Sequence, residues 1–514
     1  MTVDPRWPPP EEIRHRPHPV TYVFAVVLPL VLLVILAAPL GIVWGLSRLD
    51  PPSPRSNGAP QSTPGAAGPD EGRPGVGDPY YPDYGSSGYD ALKYTITVDW
   101  DARQQTMRST TVISARATQP LTSFYVDLAL TTDRVTVDDQ PATFVKSGFQ
   151  DVQITPAQPI ARGAEFRVTI EYSGAPGKIK RGQTSGWWTT GKEWTSAGEP
   201  ESSAWWFPAN DHPSDPALMD VSVRVPAGME AISVGRLASV DTGTEPGFDT
   251  WHWISDQPMA TYLNFVSIGQ YQLQQGTVDG RPYVYAVSEQ LSRDEREAAF
   301  AALQTSGAVV KTLESMFGPY PFRELGGVVP AHDLWFDGLE TQTRPIYKAD
   351  SITSSQFSST LIAHELAHMW FGDNVTLREW NDIFTNEAYA SWAQWGYTER
   401  TGGGSANDAL NGLYERAKDQ AGFWRITMID PSKEHLFDAV YSRGPMVLQA
   451  LRNVIGDQAF FELARDWGQD AGTRSLEEWM VKAQSKTTVD LTPFFQAWIY
   501  SPTRPERTAA NGFR

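Results

Sequence analysis

The 514-residue chain contains no cysteine. That excludes disulfides, thiolate metal ligands, a cysteine nucleophile and a lipidated-cysteine anchor. Positive charge is scarce: 42 Lys and Arg stand against 60 Asp and Glu, a formal net charge of -18. Nucleic acid is therefore not an expected partner, because phosphate binding needs a basic face. An acidic surface favours solubility and attracts cationic peptides weakly at physiological salt. Histidine is rare too, with 8 in all, two of them within one five-residue motif. No internal repeat is visible. What the chain does have is length for two or three domains, and a 41% hydrophobic share with 19 Trp from which to build their cores.

Asp, Glu, Lys and Arg are all missing from 17–47. Within that stretch 20–46 is almost wholly apolar and long enough to span a bilayer with tilt, with Tyr22 and Trp44 near its ends. It is expected as an uncleaved transmembrane anchor. A cleaved signal peptide ending near Ala37 and Ala38 is the alternative, though the apolar stretch exceeds a usual signal core. Arg6, Arg14 and Arg16 precede the span and Arg48 and Arg55 follow it. Residues 1–19 are then a cytoplasmic tail, and the expected localisation is the cell membrane, single-pass, with everything after the span outside. Residues 47–88 are rich in Pro, Gly and Ser and are expected to form a flexible linker.

The region 89–276 reads as a β domain. Tyr94, Ile96, Val98 and Trp100 alternate with polar residues, as do Phe166, Val168, Ile170 and Tyr172, and Val221, Val223 and Val225. Period two with one polar face predicts an antiparallel, half-exposed sheet. From 277 to 514 the pattern is mainly helical. Ser292-Arg293-Asp294-Glu295 is a capping box opening a helix to about Phe317, stopped by Gly318-Pro319. A short strand is expected at 327–330 and a helix over 444–454. The fold class is α+β and multidomain.

The chemistry concentrates in His364-Glu365-Leu366-Ala367-His368, inside an apolar run that reads as a helix. Positions i and i+4 share a helix face, so both imidazoles can reach one ion, with Glu365 beside them. This is the pattern of a zinc hydrolase: two His ligands and a Glu for the proton of the water at the ion. A catalytic zinc needs a third protein ligand. Asn386-Glu387-Ala388-Tyr389-Ala390 lies in another helix-like stretch, with eighteen residues between His368 and Glu387. That gap leaves room for a turn and a returning helix. A chance pair of surface histidines is the bland alternative, and the spaced carboxylate argues against it.

The run HELAHMWFGDNVTLREWNDIFTNEAYASW resembles the signature of the zinc aminopeptidase family typified by aminopeptidase N. The resemblance implies one Zn2+ per chain, held by His364, His368 and Glu387, with Glu365 as general base. It implies a saddle-like antiparallel β domain followed by a thermolysin-like, mainly α catalytic domain. Asp337-Gly338-Leu339-Glu340-Thr341 stands where the family has G-A-M-E-N. Glu340 falls on the glutamate that binds the substrate's α-amine and Gly338 lies in the substrate-binding strand, while Asp337 and Thr341 depart from the pattern. Tyr441-Ser442-Arg443-Gly444 matches the family's Y-x-x-G, which implies Tyr441 as oxyanion donor. Glu199-Pro200-Glu201 lies upstream of Trp206-Phe207-Pro208, which suggests Glu199 as a second amine-pocket carboxylate, with Glu201 close behind. The chain stops soon after 493–498, whereas many members continue into a C-terminal helical domain, so a more open cleft is expected. The implied function is a membrane-anchored, zinc-dependent aminopeptidase acting on peptides with a free N-terminus. The rivals are a thermolysin-like endopeptidase with an open cleft and a catalytically inactive cell-surface binding protein.

Overall fold

The computed structural model describes residue 68 and residues 70–182 and 184–513. The alternation that starts at Tyr94 has the expected effect: Tyr94, Ile96, Val98 and Trp100 are all buried in strand Tyr89–Asp101. This strand lies inside an eight-stranded sheet. The order is Arg236–Thr242, Phe248–Met259, Ala217–Pro226, Tyr89–Asp101, Thr106–Ala117, Glu165–Gly174, Thr131–Val137, Gln140–Pro141. The sheet differs from the expected antiparallel one at one pair. Tyr89–Asp101 and Ala217–Pro226 run parallel, with Val98 opposite Val223. Alternation reports which face is buried. A neighbour's direction is set by the connection, and here the chain makes a long excursion before returning on the far side of Tyr89–Asp101. A four-stranded sheet covers the buried face, and Trp100 meets Trp187 and Trp194 at ring distances of 5.4 and 5.2 Å.

A second, five-stranded sheet starts with the hairpin Tyr271–Val278 and Arg281–Ser288. Strand Leu325–Val329 joins it in parallel, close to the expected 327–330. Ile346–Tyr347 follows, and Gly338–Leu339 forms the edge. The Ser292 capping box forms as expected, with the Glu295 N–H donating to Ser292 Oγ and the Ser292 N–H to the Glu295 carboxylate. One expected helix is in fact two, Arg293–Leu303 and Ser306–Phe317. Thr305 Oγ1 donates back to the Ala302 carbonyl at 2.7 Å, a local bond that competes with helix continuation. Three helices then carry the site: Ser358–Ala367, Phe384–Arg400 and Val440–Ile455.

Two expectations for the N-terminal region change. The proposed anchor, 20–46, lies outside the described residues, and among the described residues no helix is long and apolar enough to cross a membrane. The expected transmembrane helix and cell-membrane localisation are corrected on that finding. The expected linker, 47–88, is also different where it is described. Tyr81 and Tyr84 are buried, Asp78 is buried, and the Gly72 N–H bonds the Ser123 carbonyl at 2.8 Å. The composition is that of a loop, but two buried tyrosines and one hydrogen-bonded aspartate supply enough contact to dock it.

Candidate active site

The helix Ser358–Ala367 ends at His368, whose N–H reaches the His364 carbonyl at 3.3 Å. Gly372, at φ +134°, then turns the chain; a Cβ there would lie 3.3 Å from both His368 Nδ1 and Asn386 Nδ2. A short strand, Val375–Leu377, and a 3-10 turn, Trp380–Ile383, follow. The helix Phe384–Arg400 then runs back with Glu387 in its first turn. The eighteen-residue gap is thus a turn, a strand and a 3-10 turn rather than a turn alone.

Glu387 Oε2 lies 3.3 Å from His364 Nε2 and 3.5 Å from His368 Nε2. All three residues are buried, and their donor atoms lie within 4.8 Å of one another. His368 Nδ1 is 3.0 Å from the Phe371 carbonyl. This is the outer bond that fixes an imidazole with its Nε2 lone pair free for a metal. Glu387 is buried, which favours the neutral acid, yet the two imidazoles hold its carboxyl down at about 2. Burial holds His364 low, whereas around His368 the Glu387, Glu340 and Glu365 carboxylates outweigh burial and push it up. Two buried imidazoles turned onto Oε2 of one buried carboxylate, an oxygen that takes no other partner, fit a divalent cation.

Glu365 is adjacent: Glu340, Glu365 and His368 also place ligand-type atoms within 4.8 Å of one another. Gly338 lies directly on the Glu365 side chain, where an added Cβ would sit 2.1 Å from Oε1. Burial raises the Glu365 carboxyl well above the usual range, with Glu340 and Glu387 adding to the effect. Glu340 is raised by burial too, and accepts from Tyr262 Oη at 3.1 Å. Glu199 Oε1 is buried without a hydrogen-bond partner, and its carboxyl is raised by burial and then by Glu340 and Glu387. Glu199 is half-buried, whereas Glu201 pairs with Arg181 at 2.8 Å.

Tyr441 stands at the rim, 38% exposed, in the first turn of Val440–Ile455. Its hydroxyl donates to Glu387 Oε1 at 3.2 Å. Two residues of Y-x-x-G place it. Gly444 packs on Ala388, where a Cβ would come within 2.7 Å of the Ala388 Cβ, so this helix and the Glu387 helix approach closely. Arg443 is buried and donates to the Trp424, Ile426, Trp498 and Ser501 carbonyls at 2.8–2.9 Å.

Three residues near the site escape sequence reasoning. Tyr262 and Trp380 touch at 5.5 Å behind Glu340, and nothing local marks them. Asp373 is buried with no hydrogen-bond partner for either oxygen, its carboxyl raised by burial and by Glu340. Its signal was present in the W-F-G-D stretch.

A β-rich region joined to a helical one, with H-E-x-x-H and a spaced glutamate converging, defines the class of gluzincin-type metallopeptidases. Comparison with known proteins agrees. The profile of the Peptidase M1 N-terminal domain matches residues 90–263, and that of the Peptidase family M1 domain matches 337–498. The chain belongs to peptidase family M1, a zinc metallopeptidase family. Both matches begin well after 20–46, so membership brings no membrane segment with it. The chain is 26% identical to aminopeptidase N of Canis lupus familiaris over 279 residues, 49% of this chain and 28% of that protein. It is 26% identical to aminopeptidase N of Lactococcus lactis subsp. lactis over 337 residues, 59% of this chain and 38% of that one. Against probable aminopeptidase 1 of Sulfurisphaera tokodaii the figures are 27%, 52% and 35%. The matched region therefore spans only between a quarter and two fifths of these relatives' length. An M1 zinc metallopeptidase from Deinococcus radiodurans superposes with a TM-score of 0.73 at 24% identity, covering 84% of this chain and 98% of that one. At that identity the likeness shows the fold.

Proposed function

We propose that the chain is a zinc-dependent aminopeptidase that hydrolyses the first peptide bond of peptides with a free N-terminus. The observation that carries this reading is a pair of carboxylates, buried Glu340 next to Glu365 and His368 and half-buried Glu199 with its Oε1 unpaired. Among the described residues no lysine or arginine pairs with either. Uncompensated buried carboxylates are costly, and a cationic ligand removes the cost. An α-ammonium has the right charge. An endopeptidase would present a neutral amide there, which disfavours the thermolysin-like rival, and the intact donor set disfavours an inactive binding protein.

His364, His368 and Glu387 would hold the zinc, which when bound polarises the scissile carbonyl and acidifies water. Glu340 and Glu199 take the ammonium and thereby set the first peptide bond over the donor set. The free side of the edge strand Gly338–Leu339 pairs with the substrate backbone. Glu365 accepts the proton of the attacking water and delivers it to the leaving nitrogen as the C–N bond breaks. Tyr441 donates to the carbonyl oxygen as charge develops there.

The test is a zinc assay together with hydrolysis of a panel of aminoacyl fluorogenic amides by the wild type and Glu365→Ala. The variant should keep stoichiometric zinc and lose turnover. Appreciable activity in Glu365→Ala refutes the base assignment.

A further inference from the structure

The segment from Asp78 to Tyr84 reads D-P-Y-Y-P-D-Y, and it reaches three regions that surround the site. Asp78 is its hub. The carboxylate accepts from the Tyr80 and Tyr81 N–H groups at 2.7 and 2.8 Å. It also accepts from the Trp380 N–H at 2.7 Å, just ahead of the Glu387 helix, and lies 3.2 Å from His212 Nε2 in the β-rich region. Burial opposes its charge, but these partners hold its carboxyl below the ordinary value.

The tyrosines extend this contact. The Tyr80 hydroxyl bonds Asp430 and accepts from the Ser432 N–H at 3.0 Å, on the loop that leads to Tyr441. Tyr84 stacks on Tyr81 at 4.7 Å and lies beneath Arg181, the partner of Glu201. Tyr81 is buried with its ring edge-on to Trp380 at 5.9 Å and the Lys433 ammonium 4.5 Å from its centroid. Trp380 packs on Tyr262, which donates to Glu340. Burial and then the Glu199 carboxylate push the Tyr81 phenol up.

Building on the aminopeptidase reading, we propose that this strap is the back wall of the amine pocket. Tyr81 is its positioning residue: it fixes Glu340 through Trp380 and Tyr262 and closes the cleft to chain extending past the terminal amine. A ring held on three sides by Tyr84, Trp380 and Lys433 is a rigid stop.

The test uses the zinc-loaded full chain with Tyr81→Ala, Tyr81→Leu and Tyr81→Phe. Substrates are a free-amine aminoacyl amide and a hexapeptide in free and N-acetylated forms, with products read by mass spectrometry. Tyr81→Ala is expected to raise KM about tenfold with kcat within about twofold, a loss of binding rather than of chemistry. It should also begin to cleave the acetylated hexapeptide, while Tyr81→Phe behaves as wild type. Tyr81→Leu carries the same test if Tyr81→Ala does not fold. Unchanged KM and an unchanged product pattern overturn the proposal, and so does a fall in kcat alone. If the wild type itself cleaves free and acetylated peptides equally, the aminopeptidase reading has failed, not the strap.

Discussion

Glu387 is shared between two sides of the site: Tyr441 donates to its Oε1 at 3.2 Å while His364 and His368 face its Oε2. One carboxylate thereby ties the rim tyrosine to the donor set. Tyr441→Phe should lower kcat by about 10²–10³-fold, the scale seen when one oxyanion donor is removed. Zinc content should be unchanged. Metal analysis beside steady-state kinetics checks both, and a variant with wild-type kcat removes Tyr441 from the chemistry.

Gly444→Ala acts on the same tyrosine from a distance. The new Cβ would meet the Ala388 Cβ at 2.7 Å and its Cα at 2.9 Å, both on the opposing helix. The helices must separate, at a cost of about 1–3 kcal/mol for overpacking. The expected outcome is a lower Tm together with a reduced kcat. A loss of Tm with full kcat would show that the helix contact does not place Tyr441.

Gly338→Ala places a methyl within 2.1 Å of Glu365 Oε1, so one of the two must move. Because Glu365 is the proposed base, kcat should drop while zinc remains bound. Wild-type turnover in this variant would mean that the base tolerates displacement.

The donor set was legible in sequence because its logic is local. His364 and His368 share a helix face by period, and Glu387 announces itself by spacing. Tyr441 and Glu340 were legible only through the family resemblance, since one tyrosine or one glutamate carries no signal alone. The contact of Gly338 with Glu365 was not legible, because it joins a sheet edge to a helix twenty-seven positions on. In the β-rich region, alternation exposed the buried face of Tyr89–Asp101 but not its parallel partner. The strap was misread because composition counts prolines and glycines, whereas docking depends on where Asp78, Tyr81 and Tyr84 find partners.

His332 gives a stability prediction away from the donor set. It is buried, with Nε2 3.0 Å from Thr195 Oγ1 and 3.4 Å from Glu193 Oε1, a carboxyl that burial itself raises toward the neutral form, and burial lowers the His332 pKa from 6.5 to about 4. The neutral form is favoured in the folded state. Its stabilising contribution is therefore fully present above pH 6.5 and is lost as pH falls from 6.5 to 4, where only the unfolded chain takes up the proton. The loss is on the order of 3 kcal/mol. Denaturant titrations of wild type and His332→Gln at pH 7 and 4.5 should show the wild type losing more. Parallel losses contradict the assignment.

Glu340→Gln keeps the shape of the amine pocket but removes a charge. KM for free-amine substrates should rise about tenfold to a hundredfold, in line with loss of a buried charge pair. The activity on N-acetylated peptides should not change. Steady-state kinetics on matched substrates reads the difference, and an unchanged KM would place the amine elsewhere.

The decisive measurement compares the zinc-loaded wild type on one hexapeptide with a free N-terminus and on the same peptide N-acetylated. The expected result is removal of single residues from the free terminus and no cleavage of the acetylated form. Hydrolysis of both at equal rates, or cleavage at an internal bond, would contradict an aminopeptidase built on Glu340 and Glu199.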